Sequence, residues 1–79
     1  MKITRGMQRE LEEYHRAVVT TWSFLKTRIM DFQNTDSWWD RAFKDAKALT
    51  DGFKGSTAEE FTRGAVKEAL LELQRKAKT

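Results

Sequence analysis

The amino-acid sequence predicts an all-α fold, a three-helix bundle with a long first helix, and three observations carry that expectation. Apolar residues recur at helical spacing through most of the chain. Proline is absent, and the four glycines, at positions 6, 52, 55 and 64, leave a single glycine-rich break at 51–56. No alternating apolar and polar run bounded by turn residues marks a strand.

Helix one is expected over about 5–33. On a helical wheel Ile3, Met7, Leu11, Tyr14, Val18, Trp22, Leu25, Ile29 and Phe32 fall within an arc of roughly 100°, which is the stripe an amphipathic helix presents to a core. Thr4 is suited to the N-cap, and Asn34 to the left-handed residue that ends such a helix. The short polar side chains of Asn34, Thr35, Asp36 and Ser37 then form a tight loop. Helix two is expected over about 37–50, with Trp38, Trp39, Ala42, Phe43, Ala46, Leu49 and Phe53 on one side and Asp40, Lys44, Lys47 and Asp51 on the other. Gly52 fits the position just past its end. Ser56, Thr57, Ala58 and Glu59 fit a capping box that opens helix three, expected over about 57–77. Its apolar residues, from Ala58 and Phe61 to Leu73 and Ala77, cover half its circumference, enough to touch two neighbours.

Seventy-nine residues make one domain, 1–79, and folding removes only about 63% of the accessible area of such a chain. A core this small leaves little room for a cofactor, and none is expected. Cysteine is absent and histidine occurs once, which removes disulfide scaffolds and structural zinc sites and makes the cytoplasm the default compartment. No apolar run approaches the roughly 18 residues of a membrane span, and no signal-peptide pattern opens the chain. The net charge of +3 is spread almost evenly, with no basic arm. Arg75, Lys76 and Lys78 complement the negative end of helix three.

Length adds a positive expectation. Helix one, at 1.5 Å per residue, is about 43 Å long, whereas a compact chain of this size is only about 30 Å across. Its stripe continues unbroken through Met7 and Leu11, so a second chain is expected to cover the overhang. The simplest arrangement is a twofold homodimer.

None of the polar constellations supplies a reaction. His15 has Glu12 one turn before it but no nucleophile to activate. Asp36 and Asp40 fall short of the oxygen donors a divalent cation needs, and they suit a helix N-terminus. The segment Gly52 to Thr57 lacks the spacing of a phosphate loop, and Glu59 and Glu60 oppose an incoming phosphate. No catalytic, cofactor or metal residue is therefore assigned. A helix-turn-helix reading of helices two and three fails on the same two acids and on a connection of about six residues. Arg5, Arg9 and Arg16 are the candidate nucleic-acid contacts of an alternative reading, in which a dimer brings its basic helix-one ends together.

Aromatic side chains carry the leading expectation. Trp38 and Trp39 point about 100° apart on a helix, so Trp39 is expected inside and Trp38 at the edge, partly exposed. Phe24 lies outside the helix-one stripe and Leu71 outside the helix-three arc. With Met7 and Leu11, these residues form the candidate protein interface, because large apolar residues in excess on a small surface mark interaction patches.

The run Thr4-Arg5-Gly6-Met7-Gln8-Arg9-Glu10-Leu11-Glu12-Glu13-Tyr14, with Trp22-Ser23-Phe24-Leu25 after it, resembles small uncharacterised helical proteins carried by phages and conjugative elements of Gram-positive bacteria. The likeness covers mostly the first helix and carries no catalytic motif. It implies an accessory protein of a mobile element that binds host or element proteins. The expected function is thus a non-enzymatic interaction or regulatory module whose partner is another protein, with no membrane contact.

Overall fold

A computed structural model describes residues 4–78, and among these the chain forms three α-helices, α1 (Arg5–Met30), α2 (Asp36–Gly52) and α3 (Glu59–Ala77). Thr4 caps α1, its hydroxyl oxygen accepting the Met7 N–H at 3.1 Å. Thr35 does the same for α2, accepting from the Trp38 N–H at 3.2 Å.

The end of α1 departs from the expected one. The helix stops at Met30, three residues early, and no described non-glycine residue has a positive φ, so Asn34 is not a left-handed cap. The cause is the pair of tryptophans in the first turn of α2. Asp31 Oδ1 accepts the indole N–H of Trp38 at 3.2 Å, and the Phe32 ring meets Trp38 edge-on with centroids 4.8 Å apart. Asn34 accepts the indole N–H of Trp39 at 2.9 Å. Leaving the helix at Asp31 lets residues 31–34 satisfy both indoles and close that end of the bundle.

Two other expectations are corrected between α2 and α3. Gly52 is the last residue of α2, and the left-handed residue is Gly55, at φ 81°. The capping box does not form. Ala58 is the N-cap of α3 without a side-chain bond, while Glu59 accepts the Gly55 N–H at 2.6 Å. Across the bundle Glu13 of α1 accepts the Thr57 N–H at 3.0 Å, and Ser56 donates its hydroxyl to the Phe53 carbonyl at 2.7 Å. Two carboxylates thus hold the loop amides that precede α3.

The packing faces differ most from the wheel. α1 buries Ala17, Thr21 and Phe24, α2 buries Trp38, Ala42 and Ala46, and α3 buries Thr62, Val66, Ala69 and Leu73. Small residues face one another where the helices cross, with Ala58 and Thr62 fully buried, and this lets the backbones approach closely. Trp38, Leu73, Phe24 and Phe53 fill the remaining core, and the other large apolar side chains of α1 flank it. Trp38, expected at the edge, is fully buried at 0% exposure, and Phe24, expected outside the stripe, is 9% exposed within the same cluster. Conversely, Leu11 at 53%, Val18 at 50% and Trp22 at 56% stand in solvent, and Ile3 lies outside the described residues.

The resulting body measures 48 × 22 × 16 Å with a Cα radius of gyration of 14.5 Å, against about 11.6 Å for a compact chain of this length. The elongation belongs to α1. Every residue from Thr4 to Glu12 is exposed, and Glu13 and Tyr14 are the first to reach the rest of the chain, through Thr57 and through the Phe61 ring at 5.6 Å.

Candidate protein interfaces

Two apolar grooves run along opposite sides of α3, and both arise because alanines make the helix contacts and larger residues line the margins. The first, of about 420 Å³, lies between α1 and α3, with Val18, Trp22 and Leu25 on one wall and Phe61, Ala65 and Ala69 on the other. Glu68 and Glu72 form its α3 rim. It opens onto the exposed α1 stripe, so Met7, Leu11, Tyr14 and Ile29 continue the same surface along the helix. Met7 and Leu11 are both exposed.

The second groove, of about 400 Å³, lies between α2 and α3. Phe43, Ala46, Val66, Leu70 and Leu71 supply its apolar floor and walls, and its charged lining residues are Lys47, Arg63 and Lys67. No carboxylate lines it. Phe43 is half exposed and braced from behind by Trp39, whose ring lies 6.0 Å away and is itself tied to Asn34. Leu71, singled out from the sequence, is half-buried in this groove. It lies apart from Met7 and Leu11, so the five candidate interface residues do not form one patch. Trp38 and Phe24 are core, and the exposed large residues that line the two grooves are Val18, Trp22, Phe43 and Phe61. On α1 a signal for them was present: the small residues Ala17 and Thr21 form a face beside the apolar stripe that carries Val18 and Trp22.

The basic residues do not gather. Arg5 and Arg9 are exposed near the start of α1, whereas the Arg16 guanidinium sits over the Phe53 ring at 4.9 Å. Glu12 and Glu13 share the surface hollow with Arg9 and Arg16. His15 is exposed, Asp40 pairs with Lys44 at 3.3 Å, and Asp36 lies in the first turn of α2. Among the described residues no three His, Cys, Asp or Glu side chains come together as a metal site, and no helix is long and apolar enough to cross a membrane.

No protein-family model, no curated protein and no solved structure matches the chain.

Proposed function

We propose that the protein is a non-enzymatic interaction module of the cytoplasm that takes an amphipathic helix of another protein, flanked by acidic residues, in the groove between α2 and α3. The observation that carries this reading is the pairing of an apolar floor with a rim whose charges are all cationic. An apolar stripe of a helix fits such a floor, and acids beside the stripe meet Lys47 and Lys67. Arg63 is already paired with Glu59 at 2.9 Å and Glu60 at 3.1 Å, which leaves the two lysines as the selecting charges. The resemblance of the α1 sequence to proteins of phages and conjugative elements suits an accessory role in a mobile element, acting on a host or element protein.

The test uses two designed helical peptides with the same leucine stripe, one with glutamate flanks and one with lysine flanks, titrated against the protein by fluorescence anisotropy. The acidic peptide is expected to bind at least about tenfold tighter, and Phe43→Glu and Leu71→Glu to abolish binding without loss of helicity. Equal affinity for the two peptides removes this reading. A nucleic-acid reading through Arg5, Arg9 and Arg16 predicts instead binding to duplex DNA that falls steeply with salt.

A further inference from the structure

The apolar stripe of α1, exposed except at Leu25, which is half-buried against the core, has an internal symmetry that selects its occupant. Met7, Leu11, Tyr14, Val18, Trp22, Leu25 and Ile29 are separated by four, three, four, four, three and four residues, a pattern that reads the same from either end and is centred on Val18. The spacing is also an 11-residue repeat, close enough to the helical period to keep the stripe nearly parallel to the axis over the whole helix. Val18 lies at the middle of Arg5–Met30. We propose that the stripe pairs with that of a second copy, antiparallel, about a twofold axis through Val18.

Such an axis sets Met7 against Ile29 of the other copy, Leu11 against its Leu25 and Tyr14 against its Trp22, so each side chain meets an apolar one. Charge beside the stripe selects the same direction. Glu12 and Lys26 are exposed and have no ion-pair partner among the described residues, and antiparallel pairing brings each within reach of the other across the axis. Parallel pairing puts this edge of the two copies on opposite sides of the seam, so Glu12 and Lys26 do not meet across it. The two uncovered turns from Arg5 to Glu12 are also accounted for, because each copy's N-terminal half rests on the other's C-terminal half.

Area agrees. The chain exposes 5962 Å², whereas a compact monomer of 9.3 kDa exposes about 5000 Å². The excess of roughly 1000 Å² is comparable to the 800 Å² or so that each partner buries in a stable complex. Because Val18 and Ala65 line the same groove, the axis also brings Gly64 and Ala65 of α3 near their own copies, and these small residues admit a close approach. The assembly is a four-helix layer of two α1 and two α3, with the α2–α3 grooves facing outward.

The absence of cysteine makes the test clean. Val18→Cys, Met7→Cys and Ile29→Cys are prepared singly, checked for helicity by circular dichroism and treated with a thiol-specific cross-linker of about 8 Å, the scale of packed helix axes. Val18→Cys is expected to cross-link with itself, whereas Met7→Cys and Ile29→Cys cross-link efficiently only when mixed. Self-cross-linking of all three to the same extent indicates parallel pairing and overturns the proposal. A folded chain that gives no cross-linked species and keeps its monomer mass in equilibrium sedimentation up to about 1 mM overturns it as well.

Discussion

At the scale of single residues, stability turns on a few side chains whose surroundings are unlike their position on the wheel. Trp38 is fully buried, donates its indole N–H to Asp31 and packs in a cluster drawn from all three helices. Trp38→Ala is expected to cost about 3–5 kcal/mol, enough to unfold a chain of this size, as read from loss of the urea transition. Thr21 gives the opposite sign. Its hydroxyl is buried on the packing face of α1 without a hydrogen-bond partner, so Thr21→Val removes an unpaired polar atom at nearly constant shape. A gain of about 1 kcal/mol is expected, seen as a raised urea midpoint with unchanged slope. Arg28 is an intermediate case: its guanidinium, largely buried, bridges to Asp45 of α2 at 3.2 Å. Asp45→Ala leaves that buried cation only its longer pairing with Asp31, at 3.9 Å, and is expected to destabilise more than Arg28→Met, which keeps the packing of the stem.

For the elements, backbone conformation decides. Gly55 holds φ at 81°, so Gly55→Ala strains the α2–α3 loop and is expected to cost about 1 kcal/mol, although no neighbour lies within 4 Å of the added carbon. Gly64 sits in α3 with equally open space, and there alanine is the better helix former, so Gly64→Ala is expected to gain about the same amount in the isolated chain. Thermal melts of the two variants check the difference in sign. The number and order of helices, the Thr4 cap and the α2–α3 break were legible in the sequence because they depend on local propensity and period. The packing face of α2 was legible as well, since Trp38, Ala42, Ala46 and Phe53 all lie in its apolar arc, whereas the face of α1 that packs, and which of Trp38 and Trp39 goes deeper, was not. The wheel weights each residue by its apolar size, and Trp22, Leu11, Trp39 and Phe43 pull its centre toward themselves. Ala17 and Thr21 contribute little to that weight but lie on the face of α1 that packs. Close approach also needs the partner helix in place, information that one helix's periodicity does not hold. Of the candidate interface residues, Trp38 and Phe24 lie in the core, misplaced by the same weighting, while Met7 and Leu11 are exposed and Leu71 is half-buried.

For the whole molecule, shape is the observable. An antiparallel pair centred on Val18 doubles the mass while the two α1 helices overlap along nearly their full length. The maximum dimension therefore stays at about 50 Å, close to the 48 Å of the single chain, and the added mass appears as width. Small-angle scattering checks this, since staggered or end-to-end association lengthens the particle. The arrangement also sends Arg5 and Arg9 of the two copies to opposite ends, so it builds no merged basic surface for a duplex.

The two turns from Arg5 to Glu12 have a thermodynamic consequence. With all of these residues exposed, their helicity in an isolated chain rests largely on intrinsic propensity, which for so short a stretch is marginal even with Thr4 as a cap. Coil-to-helix ordering of that segment is then linked to mass action. With the antiparallel pairing proposed above, amide exchange at Arg9, Glu10 and Leu11 is expected to slow as protein concentration rises, while Val66 to Leu73 respond far less, so the N-terminal turns would report the chain's own abundance.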